Sequence, residues 1–152
     1  MTQHSAVRRV LVIANETVEA AILHDTLVEQ ARATEVVIVA PALNSRVRHW
    51  TSDEDRARDS ADQRLTACLA ALDRAGVHVQ GWVGDADPMR AIADALVLFH
   101  ADEILIATHP EHRSNWLAHD LVARACGAFS LPIVHLVVEH AGARAELAGA
   151  AA

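Results

Sequence analysis

A chain of 152 residues is one ordinary domain, long enough to bury roughly 70% of the surface its unfolded form exposes without staples. Its composition is globular, 52% hydrophobic and 22% charged, with aromatics at only 3% and no tyrosine. So few rings disfavour a stacking platform for single-stranded nucleic acid, and a net charge of −7 disfavours a phosphate-backbone binder.

The opening Met-Thr-Gln-His-Ser-Ala lacks the apolar core of a secretory signal, and no apolar run approaches the roughly 20 residues of a membrane span. A cytoplasmic location is the expectation. Cys68 and Cys126 each fall inside an apolar helical pattern with no Cys-x-x-Cys spacing, which predicts reduced, buried thiols.

Val10 to Ala14 is a short continuous apolar run, as expected of a parallel strand covered on both faces. Asn15 or Thr17 then caps a helix to about Arg32, with Val18, Ala21, Ile22, Val28 and Ala31 inward. Glu35 to Ala40 is a second buried strand stopped by Pro41, and a long loop to Ser52 carries Arg46, Arg48, His49 and Trp50. Asp53 opens a helix whose inner stripe is Ala57, Ala61, Leu65, Cys68, Leu69 and Leu72, ended by Gly76.

Val77 to Val83 alternates with period two, so one face is exposed and an edge strand is predicted. Gly84-Asp85-Ala86-Asp87-Pro88 is a turn that supplies Asp87 as cap and Pro88 as first helical residue. Met89, Ile92, Ala93, Leu96 and Phe99 mark the inner side of the next helix. Glu103 to Ala107 is the fourth strand. Ser114 or Asn115 caps a helix through about Cys126, with Leu117, Leu121, Val122 and Ala125 inward and Gly127 beyond its end. Pro132 introduces the last strand, Ile133 to Val138. From Glu139 the chain is Ala- and Gly-rich and is expected to fray, so residues 1–140 form the domain and 141–152 a tail.

Strands alternating with helices predict an α/β fold: a doubly wound, five-stranded parallel sheet with helices on both faces. The order 3-2-1-4-5 puts the alternating third strand at an edge. The aliphatic last strand would also be an edge. Exposed apolar edges invite pairing, so a homodimer through Ile133, Val134, Leu136, Val137 and Val138 is expected.

From Val7 to Val138 this pattern resembles the universal stress protein family. The resemblance rests on element lengths, the Gly-x-x-x-Pro turn from Gly84 to Pro88, and Pro132 before an aliphatic last strand. It implies the same fold, frequent dimerisation through the last strand, and a role in stress response or regulation. ATP-binding members place Asp-Gly-Ser after the first strand, where this chain has Asn15-Glu16-Thr17. After the fourth strand they carry Gly-x-x-Gly, nine residues, then Gly-Ser or Gly-Thr, because bare glycine backbone approaches phosphates closely. No glycine occurs here between Gly84 and Gly127, and the Gly-Ser position falls on His119-Asp120. The resemblance is to the members that do not bind ATP. No cofactor is expected, and the motif does not support ATP or AMP.

In an open parallel sheet, ligands collect at the carboxyl ends of the strands where the winding reverses, here between the first and fourth strands. Asn15, Thr17, Ala40, Thr108, His109, Arg113, Ser114 and Asn115 are the candidate binding residues at that crevice. With Arg46, Arg48 and His49, and beside Glu16, Asp85, Asp87 and Glu111, they frame a partly cationic rim. His109-x-x-His112 has a spacing seen among metal ligands but lacks a fixed third partner. No nucleophile elbow occurs. A non-enzymatic, dimeric protein is the leading expectation, and a sensor of a nucleotide or other anion is the alternative.

Overall fold

The structure, a computed structural model, describes residues 8–14, 34–41, 51–74, 76–85, 87–108, 112–139 and 142–149. At 34, 51–61, 64, 108, 112–119, 138, 139 and 142–149 only the backbone is described. The expected helix from residue 17 to 32 and the loop from 42 to 50 lie outside these residues.

β1 (Arg8–Ala14) is flanked by β2 (Thr34–Pro41) and β4 (Glu103–Thr108), with β3 (His78–Gly84) beyond β2 and β5 (Ile133–Glu139) beyond β4. All these pairings are parallel, so the order 3-2-1-4-5 stands. The apolar runs are continuous because both faces of the sheet are covered: Leu11, Val12 and Ile13 expose nothing. On one face Val10, Val12, Val36, Ile38, Leu105, Ala107 and Leu136 meet Leu65 and Leu72 of α1 (Thr51–Arg74). On the other, Leu11, Ile13, Val37, Val39, Ile104, Ile106 and Ile133 meet α2 (Pro88–Leu98) and α3 (His112–Ala128). Ala91, Ile92 and Ala95 come from α2, and Leu121, Val122 and Ala125 from α3.

The helix ends obey local rules. Gly76 has φ +87° beyond α1. There the Gly76 N–H donates to the Asp73 carbonyl at 3.0 Å and the Val77 N–H to the Leu72 carbonyl at 3.1 Å. This pair of bonds closes a Schellman motif, and Val77 packs back into the cluster that holds Leu72.

Several boundaries differ from expectation. α1 starts at Thr51 rather than Asp53. In α2 the alanines facing the core are Ala91 and Ala95, while Ala93 is exposed. α3 starts at His112 and runs to Ala128. Ser114 and Asn115 are therefore helical residues of its first turn, not its cap. Gly127 lies inside the last turn, not beyond it.

The largest difference is at the far edge. The tail does not fray: β6 (Gly142–Gly149) pairs antiparallel with β5, with Val134 opposite Leu147 and Glu139 opposite Gly142. The sheet has six strands, and β5 is internal to it. A strand with aliphatics on both faces needs its edge satisfied, and the residues just after it do so. Ile133 and Leu136 are wholly buried, on opposite faces of the sheet.

Candidate functional site

The winding reverses at β1: the chain goes from β1 to β2 on one side, then returns to β4 on the other. The carboxyl ends of β1 and β4 thus border the crevice where doubly wound sheets bind ligands. The strands end level, with Ala14 opposite Ala107. Ala40 of β2 and Ala14 are half-buried, and Ala107 is buried. In these parallel registers all three alternate onto the face that carries α1. The rows that begin as valine, isoleucine and leucine therefore taper to methyl groups at the crevice floor.

The turn after β3 is satisfied from within. The Asp87 N–H donates to Asp85 Oδ1 at 2.8 Å, and the Met89 N–H donates to Asp87 Oδ1 at 3.0 Å. Asp87 is the N-cap of α2 with Pro88 in its first turn, as its position in the turn predicts. Gly84 serves packing: a Cβ there would meet Val39 Cγ1 at 2.7 Å and the Ala91 Cβ at 3.0 Å. α2 can approach the sheet only over a bare backbone. The Gly-x-x-x-Pro turn has a structural explanation, and its two carboxylates give this end of the sheet negative charge.

Of the predicted site residues, Ala40 and Thr108 stand at the ends of β2 and β4. Arg113, Ser114 and Asn115 lie in the first turn of α3, which leaves the same end of β4. Asn15, Thr17 and His109 are outside the described residues. Three residues, 109 to 111, link Thr108 to His112, and none is glycine. Ala14 and Ala107 complete the floor, and sequence reasoning passed over them. The signal available was their place as the last small residues of two apolar runs.

Other chemistry finds little footing among the described residues. No group of three His, Cys, Asp or Glu side chains is placed to hold a metal ion. Cys68 and Cys126 pack on opposite faces of the sheet, and neither forms a disulfide. Burial pushes the Cys68 thiol up from its ordinary value, so it is a poor nucleophile at neutral pH. No described helix is long and apolar enough to cross a membrane. Comparison with known protein families and with curated proteins finds no match to the chain.

Proposed function

We propose that this chain is a non-enzymatic protein of the universal-stress type, acting in stress response or regulation through protein contacts rather than through a bound triphosphate. One observation carries the reading: the link from β4 to α3 is three residues long and has no glycine. A phosphate cradle is built from successive backbone N–H groups that a triphosphate can touch directly. Side chains occupy every position of this link, and the helix begins at once. Asp85 and Asp87 add negative charge at the same end of the sheet, in the turn after β3.

A second reading rests on the first turn of α3, which holds Arg113, Ser114 and Asn115 and begins four positions after Thr108, the last residue of β4. Free N–H groups at a helix start favour an anion, and Arg113 would add charge. A small anionic ligand, nucleotide or otherwise, would then act as a signal.

Equilibrium binding of labelled ATP and AMP to the wild type and to Arg113→Ala tests both. No saturable binding supports the protein-contact reading. Micromolar binding that Arg113→Ala abolishes replaces it with the sensor. Phosphate release that scales with protein concentration, and is lost on changing residues 108 to 115, overturns both.

A further inference from the structure

β3 and β6 are the two outer strands of the sheet, and among the described residues neither has a second strand beside it. The two edges are not alike. At β6 the ladder skips a residue: Ile133 pairs with Gly149 and Val134 with Leu147, which leaves Ala148 out as a bulge. Bulges, prolines and lysines are devices that keep a natural edge from pairing. β3 has none of them. Its register with β2 is unbroken over seven residues, from His78 opposite Glu35 to Gly84 opposite Pro41. Its sequence, His-Val-Gln-Gly-Trp-Val-Gly, contains no proline and none of Lys, Arg, Asp and Glu.

The edge is also apolar. Val79 and Val83 pack against the cluster on the α1 face and Trp82 against the opposite cluster, yet all three are only half-buried. Gly81 shares the α1 face with the valines, since a Cβ there would meet Leu69 of that helix at 3.3 Å. It is also the midpoint of the strand. Set two copies of β3 antiparallel in one sheet. Paired residues then lie on the same face, so the two-fold axis passes through a residue and its copy. With the axis at Gly81, every residue of the strand finds a partner. Val79 stands opposite the partner's Val83, Gln80 opposite the partner's Trp82, and His78 opposite the partner's Gly84. An axis at Trp82 sets Val79 against the partner's Asp85. An axis at Gln80 sets it against the bare Gly81 and carries Val83 and Gly84 past the partner's strand. One register is therefore selected, it matches β-branched residues across the join, and it is self-complementary as an isologous interface requires. In a chain of net charge −7 it also sets no two acidic residues against each other.

We propose that β3 is a self-association edge, whose partner is a second copy of this chain joined antiparallel about Gly81 into one continuous sheet. This is the opposite edge from the last-strand contact that the family resemblance implies, where β6 already covers β5. It is independent of the nucleotide question: the mass of the particle reads one, and ligand binding reads the other.

The test is sedimentation of the full chain over a concentration series, with deuterium exchange on the same samples. The wild type is expected to double its mass as concentration rises. The amides of residues 78–84 should gain protection in step, while those of 142–149 do not. Val79→Lys sets an ammonium against the partner's Val83, and Val83→Glu sets a carboxylate against the partner's Val79. Each variant alone is expected to dimerise about tenfold more weakly. An equimolar mixture sets the two new charges opposite each other at one pair and valine opposite valine at the other, so it should regain most of the wild-type mass. Both valines also touch the core, so exchange on the wild type decides the matter if a variant fails to fold. A wild type that stays monomeric throughout overturns the proposal. So does a dimer protected at β6 rather than β3, a dimer indifferent to both substitutions, or a mixture that regains nothing.

Discussion

Asp102 and Arg9, 93 residues apart, hold each other by two hydrogen bonds. The Arg9 N–H donates to Asp102 Oδ2 at 2.9 Å, and the Asp102 N–H donates to the Arg9 carbonyl at 2.8 Å. The ring closes the amino end of the β1–β4 ladder one step before Val10 meets Glu103. Asp102→Ala removes one bond and leaves a backbone N–H to water, so a loss of about 1 kcal/mol is expected in urea unfolding. Asp102→Asn keeps an acceptor and should lose less. Equal losses in the two variants would show that the carboxylate's charge, not its geometry, matters.

On the other face of the same end, Glu103 is buried and pairs with the half-exposed Arg8. Arg8→Met leaves the carboxylate buried without this partner, and a loss of about 2 kcal/mol is expected. Arg8→Met combined with Glu103→Met removes both charges and should return most of that loss. Additive losses in the double variant, measured by chemical denaturation, would contradict the pairing.

Two glycines should fail for different reasons. Gly84→Ala drives a methyl into Val39 and Ala91, which must shift, and a cost of about 1–3 kcal/mol is expected. Gly76→Ala meets nothing within 4 Å but must hold φ +87°. It should cost about 1 kcal/mol through backbone strain alone. Gly76→Asn, which tolerates that conformation better, should recover part of the loss. Thermal melts of the three variants distinguish crowding from strain.

Cys68 gives stability a pH dependence with a definite sign. Its thiol would ionise near 9.0 in the unfolded chain, and burial holds the proton to higher pH in the folded one. Between those values the unfolded state binds fewer protons, so stability falls as pH rises and is undiminished below the lower value. The chain has no lysine and no tyrosine, so no titration of either type overlaps that window. Urea midpoints taken from neutral to about pH 10.5 should fall less for Cys68→Ala than for the wild type. Parallel curves would remove the thiol as the cause.

The interior strands were legible because burial on both faces writes an uninterrupted aliphatic run, as in Val10 to Ile13 and Ile104 to Ala107. The position of β3 was legible from its alternation. β6 was not, since Gly142, Ala143, Ala145 and Gly149 have poor strand propensity and pair only because β5 offers an edge. The start of α3 misled for a related reason. Ser114 and Asn115 are strong caps wherever a helix begins, but α3 already begins at His112, so both fall inside its first turn. The crevice between β1 and β4 was legible as a place, through strand order, while Asn15, Thr17 and His109 lie outside the described residues. Connecting loops have no periodicity to read, and the alanine floor is silent in any motif.

The place of β1, with β2 and β4 against its two sides and a core on each face, also orders how the fold opens. Deuterium can reach the Val10 to Ile13 amides only when the whole sheet comes apart, whereas β3 and β6 can exchange by local fraying. Protection should therefore fall outward from β1 in both directions, and the slowest amides there should report the global unfolding free energy.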